Sequence, residues 1–176
     1  WGVPVSVDTY KPAVMRAALE AGATMINDIT GMIHPDALAA VAGSECAVCV
    51  MHMQGEPGTM QQAPAYDDVV SEVSDFLAAA VARCRAAGIA EDRLVIDPGF
   101  GFGKTLDHNL ALFKALTVAF GDKLPVLVGV SRKSMLGAIT GRPVAQRLAA
   151  SIAAALLAAQ KGAKILRVHD VAATRD

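Results

Sequence analysis

The chain has 176 residues and a mass of 18.2 kDa, a one-domain length that can bury a core without a disulfide or metal staple. Hydrophobic residues make up 53% and charged residues 19%, which argues against disorder and coiled coil; 16 basic against 17 acidic residues leave a net charge of −1 and remove the broad electrostatic case for nucleic acid or an anionic membrane. Mean hydropathy is +0.40, yet the longest apolar stretch, Leu148 to Ala159, carries Ser151 and falls short of the roughly 20 residues a membrane span needs, so it reads as a buried Ala-rich helix.

The predicted elements alternate along the chain. A β-branched run at Val3 to Val7 precedes a helical pattern from Pro12 to Ala21; strand Met25 to Ile29 precedes helix Pro35 to Val41. Strand Ala47 to Met51 leads to a long helix over Tyr66 to Ala87, and strand Leu94 to Ile96 leads to helix Leu106 to Phe120. Strand Val126 to Val130 is followed by a short helix in MLGAIT, a helix from Pro143 to Gln160 and a last strand at Ile165 to Val168. The strands are apolar on successive residues, as strands covered on both faces are. Pro12, Pro35 and Pro143 mark helix starts, and Gly22, Gly88 and Gly162 mark helix ends. No linker suggests a second domain, so residues 1–176 read as one.

Repeated βα units leave a closed barrel or an open doubly wound sheet. Polar residues at the strand ends favour the barrel: Asp8, Asn27, His52, Asp97, Ser131, Arg167 and His169 would meet at one mouth. A TIM (β/α)8 barrel needs eight strands, so the chain reads as an incomplete barrel of about six units, the third to the eighth, without the first two strands or the last helix. Such an arc exposes two strand edges and apolar helix faces, which predicts low stability or association. The chain opens on Trp1 and not on Met, which suits a piece of something longer. Cys46 and Cys49 form C-x-x-C inside a strand with no second pair; core thiols in a reducing, cytoplasmic setting are the expectation.

The segment from Asp97 to Thr105, DPGFGFGKT, imitates two phosphate-binding motifs and satisfies neither. Pro98 stands where a P-loop needs its first glycine, and Lys104 stands where a dinucleotide loop needs its last. It reads either as a tight βα turn or as a loop whose backbone approaches a flat ligand, with Phe100 or Phe102 offering a ring. Asp8, Asn27 and Asp97 end apolar strands, and a buried carboxylate needs donors. Neighbouring cations or helix termini can supply them; so can a heterocycle with an amidine-like edge, such as a pterin or a guanine. Ser131-Arg132-Lys133-Ser134 suits a carboxylate or phosphate, or is plain surface charge. Arg167 and His169 share one strand face and form either an anion site or separate ion pairs. His52 reads as a satisfied core histidine, His34 and His108 as surface, and the acids at the start of the long helix as partners of its dipole.

In this order, SVDTYKP, INDI, MHMQGEPGTMQ, DPGFGFGK, VGVSRKSMLG and RVHDV strongly resemble the dihydropteroate synthase family over almost the whole chain. The resemblance implies a TIM barrel that joins 6-hydroxymethyl-7,8-dihydropterin diphosphate to p-aminobenzoate, an enzyme of folate synthesis with sulfonamides as competitors. By motif it implies that Asp8, Asn27 and Asp97 hold the pterin edge, with Met51 and Phe102 as walls and Gly129 admitting the ring. Lys133 would reach the ring near the reacting methylene, Ser134 would receive the aminobenzoate carboxylate, and Arg167 and His169 would take the diphosphate. Lys133, Asp97 and Asp8 would be the catalytic residues. Magnesium would travel on the diphosphate, with its expected protein ligand in the absent first strand, so the isolated chain would bind pterin but turn over little. Family members are usually homodimers, here through the 148–159 helix. The pterin-binding domain of corrinoid methyltransferases and a non-catalytic pterin module are the alternatives; SRKS and MHMQGEPGTMQ favour the synthase.

Overall fold

The computed structural model describes residues 2–120 and 124–176. Six parallel strands form one arc: β1 Ser6–Asp8, β2 Met25–Asp28, β3 Ala47–Met51, β4 Leu94–Asp97, β5 Leu127–Val128 and β6 Ile165–Leu166. The first four pair in sequence order, β5 pairs with β6, and a single Ile96–Val126 bridge joins the two groups. Helices α1 Pro12–Glu20, α2 Pro35–Ala42, α3 Val69–Ala86, α4 Leu106–Phe120, α5 Ser134–Thr140, α6 Leu148–Gln160 and α7 Val171–Arg175 complete the units. This is a partial TIM barrel, as the alternation predicts.

Two separate cores show why. Ile26, Val48, Val50, Leu94, Ile96, Val126 and Val128 belong to a large core with helix residues such as Met15, Val73, Leu77, Leu112 and Leu116. The alternate strand residues, Met25, Cys49, Val95, Leu127 and Ile165, form a second cluster inside the arc. Strand side chains alternate faces, so burial on both faces produces the continuous apolar runs seen in the sequence.

Several boundaries differ from expectation. β1 starts at Ser6 because Pro4 has no N–H to give; Val5 instead exchanges bonds with the Thr24 side chain. The long helix starts at Val69, capped by Asp68, which accepts from Val70 N and Ser71 N, while Tyr66 stays outside to donate to Gly103 O at 2.8 Å. The predicted 143–160 helix is broken at Arg147, which packs over Gly137 and donates to the carbonyls of Arg132, Lys133 and Arg142. β5 and β6 are shorter than predicted, although Arg167 N still donates to Val128 O at 3.0 Å. A five-residue α7 follows the last strand, where no helix was expected. The Leu148 to Ala159 stretch is α6, and no described helix is long and apolar enough to cross a membrane. Cys46, Cys49 and Cys84 are free and buried, as core thiols should be.

Candidate functional site

The strand register builds the site directly above the inner core. Two residues beyond Met25, Cys49, Val95, Leu127 and Ile165 stand Asn27, Met51, Asp97, Gly129 and Arg167. Asp8 pairs in register with Asn27, and Met51 with Asp97. A side-chain period of two turns the five side chains toward the same interior, with Gly129 on that face as well. Continuing the step, Tyr10, Ile29 and Met53 line a cavity of about 440 Å³ beside the mouth, and Ser131 meets His169 at 3.0 Å on the opposite side.

Asn27 Nδ2 donates to Asp8 Oδ2 at 3.0 Å, and Gly99 N donates to Asp97 Oδ1 at 2.7 Å. The remaining oxygens, Asn27 Oδ1 and Asp97 Oδ2, are buried without a hydrogen-bond partner. Burial pushes the Asp97 carboxyl above its ordinary value, against Arg167, Lys133, the Gly99 N–H and Lys104. Arg167 stands 3.6 Å from both Asp8 Oδ2 and Asp97 Oδ2 and lies over Gly129, where an added Cβ would come within 3.0 Å of the guanidinium. The open space at Gly129 therefore holds Arg167 in this state. Met51 is fully buried, Asp8 is exposed, and His169 is an exposed rim residue tied to Ser131.

Lys133 is half-buried and not an open surface charge. Its Nζ donates to Phe100 O and sits 4.7 Å from the centre of the Phe102 ring. Burial brings its pKa down to about 8, with Asp97 resisting and Arg167 assisting. Ser134 is exposed at the first residue of α5, beside Lys133. The neighbouring Arg132 does not join them: it turns out to Asp170 in an ion pair, which corrects the expectation of two cations at one anion site.

The least expected participant is Lys104, which the sequence marks only as the misfit in a dinucleotide-loop pattern. It is 3% exposed and donates to Gly99 O at 3.0 Å and Phe102 O at 3.1 Å, with His52 Nδ1 at 2.9 Å. His52 is the buried, satisfied histidine expected, with its pKa lowered to about 3 by burial and Lys104. His34 is exposed as expected, whereas His108 is half-buried against Tyr66 and exchanges capping bonds with Thr105 at the start of α4. The arrangement offers buried acceptors at Asn27 and Asp97 to the N–H groups of a flat ligand, with the cations Arg167 and Lys133 beside Asp97.

Comparison with known proteins agrees with this geometry. The profile of a family described as "Pterin binding enzyme" matches residues 1–169. The dihydropteroate synthase of Escherichia coli K12 is 51% identical over 170 residues, covering 97% of this chain and 60% of that protein. A crystal structure of Burkholderia cenocepacia dihydropteroate synthase complexed with 7,8-dihydropteroate is 56% identical, with a TM-score of 0.92 over 99% of this chain and 65% of its own. A Xanthomonas albilineans dihydropteroate synthase structure with 4-aminobenzoic acid is 53% identical, with a TM-score of 0.92 over 99% and 62% respectively. The chain thus spans about 60% of the length of the curated relatives it matches. With that match running through residues 1–169, the chain belongs to the pterin-binding enzyme family.

Proposed function

We propose that this single domain, residues 1–176, provides the pterin cradle of a dihydropteroate synthase, which joins 6-hydroxymethyl-7,8-dihydropterin diphosphate to p-aminobenzoate. One observation carries the reading: Asn27 Oδ1 and Asp97 Oδ2 are buried acceptors without a hydrogen-bond partner, Asp97 Oδ2 having only the Arg167 guanidinium at 3.6 Å. Leaving such atoms unpaired is costly, and the N–H edge of a pterin would satisfy both.

In this reading Asp8, Asn27 and Asp97 take the pterin edge while Met51, Phe102 and Gly129 bound the ring. Arg167 leaves the two carboxylates as the ring enters and, with His169, takes the diphosphate. Lys133 meets the ring beside the methylene, and Ser134 receives the aminobenzoate carboxylate. The amine nitrogen forms a bond to the methylene carbon as the carbon–oxygen bond to diphosphate breaks; diphosphate keeps the electron pair and the amine proton passes to solvent. Positioning and neutralised charge supply the catalysis, with no covalent nucleophile. In this reading magnesium comes with the substrate, carried on the diphosphate. The reading carries with it a cytoplasmic setting and a homodimer through α6, whose Leu156 and Leu157 are exposed.

Calorimetry with pterin diphosphate and then p-aminobenzoate, with an assay for 7,8-dihydropteroate, tests this. Ordered binding with product formation supports the synthase. Pterin binding without an aminobenzoate response points instead to a pterin module such as that of corrinoid methyltransferases, and absence of pterin binding sinks the reading.

Lys133→Ala is expected to weaken pterin binding by roughly 10-fold or more, since a hydrogen-bonded charge at the ring is lost. Melting temperature should fall little, because the side chain anchors one carbonyl and one ring. Lys133 loses its proton as pH rises through about 8, so wild-type pterin affinity should decline above that pH. The decline should be absent in Lys133→Ala; an equal decline in both proteins assigns it elsewhere.

A further inference from the structure

The glycine-rich loop after β4 is wired at every carbonyl from Gly99 to Gly103. Gly99 O and Phe102 O turn inward to Lys104 Nζ. Phe100 O turns toward the mouth and accepts from Lys133, Gly101 O accepts from Gln61, and Gly103 O accepts from the Tyr66 hydroxyl. Asn109 Oδ1 accepts from Gly101 N at 2.7 Å, and its amide donates to Lys104 O and Thr105 O. The two carbonyls given to Lys104 bracket the residue that holds Lys133.

An ammonium has three N–H donors, and Lys104 faces three acceptors: Gly99 O, Phe102 O and His52 Nδ1. For all three bonds to form, His52 must be neutral with its proton on Nε2. The ring is buried edge-on to Phe76, with centroids 4.9 Å apart, an environment that disfavours imidazolium. Lys104 is itself brought down to about 7 by burial, with Asp97 opposing and Lys133 adding repulsion. A buried cation is an expensive way to close a turn that Asn109 and Tyr66 already fasten. Its placement is explained by what lies on the other side of the loop, the Phe100 carbonyl and Phe102 ring that aim Lys133.

We propose that Lys104 is a positioning residue for the pterin pocket: anchored by its three acceptors, it sets the shape of the glycine-rich loop that directs Lys133 into the mouth. The inference rests on the pterin reading, so its test includes measurements that need no ligand. In the wild-type protein, nitrogen NMR of His52 should find the proton on Nε2 and a bare Nδ1. The Lys133 Hε resonances should be shifted upfield by the Phe102 ring. In Lys104→Met those resonances should return to the position of an exposed lysine, and pterin affinity should fall about tenfold or more, as when a supporting contact misplaces a binding group. A proton on His52 Nδ1 overturns the proposal, and this result is available even where Lys104→Met does not fold. A folded Lys104→Met with unmoved Lys133 resonances also overturns it. A wild-type chain that fails to bind pterin while Lys133 still shifts in the variant defeats the functional reading and leaves the positioning role intact.

Discussion

Asp97→Asn is expected to weaken pterin binding by about 100-fold or more, the loss of a charge-assisted pair of hydrogen bonds, while melting temperature stays level or rises. The substitution is nearly isosteric, and its Oδ1 can still accept the Gly99 N–H. What disappears is the charge on Oδ2, the oxygen left without a hydrogen-bond partner. That charge opposes folding. Burial holds the folded-state pKa of Asp97 above its ordinary value, so the unfolded chain ionises first. Stability therefore falls as pH rises from the ordinary carboxylate range through the folded-state pKa, and at neutral pH the penalty is in force. Asn carries no such penalty, although it forfeits the 3.6 Å attraction to a half-exposed Arg167. Calorimetry and thermal melts on the same preparation give both numbers. Undiminished pterin affinity in the variant would falsify the assignment of Asp97.

Gly99→Ala should be the most damaging single methyl added to the loop. Gly99 has φ +70°, and a Cβ there would lie 1.8 Å from His52 O, a backbone atom one residue past β3. His52 N donates to Asp97 O at 3.1 Å, so the carbonyl cannot retreat without opening the β3–β4 junction. Left-handed strain and forced backbone movement together should cost about 3 kcal/mol or more, lowering the melting temperature by roughly 6–12 °C in a domain of this length. Gly43→Ala is the control: it caps α2 at φ −81° with no atom within 4 Å of an added Cβ, and should change stability by less than about 1 kcal/mol. Equal melting temperatures for the two variants would show that the Gly99–His52 contact is not a constraint.

Much of the fold was legible because burial on two faces leaves a mark in one dimension. AVCVM reads as apolar on consecutive residues, since Val48 and Val50 face helices while Cys49 faces the inner core. The candidate site was legible where that pattern is broken by polarity: Asp8, Asn27 and Asp97 stand at or next to their strand ends, Asn27 bonds Asp8, and Asp8 and Asp97 face the same Arg167. Lys104 was not legible. Its partners are two backbone carbonyls and a histidine 52 positions away, and backbone acceptors leave no trace in residue identity. Arg132 misled for a related reason, because adjacency to Lys133 suggested shared work while its partner lies 38 residues on, at Asp170. The break at Arg147 was hidden likewise, since the guanidinium is fixed by carbonyls of other segments.

The two-residue step that lifts Asn27, Met51, Asp97, Gly129 and Arg167 above the inner core has a consequence for how such a chain tolerates change in length. Inserting or deleting one residue within a strand swaps inside for outside along everything beyond it: a carboxylate would be driven among the helices and an aliphatic side chain would face the cavity. The connecting turns carry no such parity, so gain and loss of residues in a lineage of these proteins should accumulate there, while the strands admit exchange of one side chain for another but almost never a shift in count.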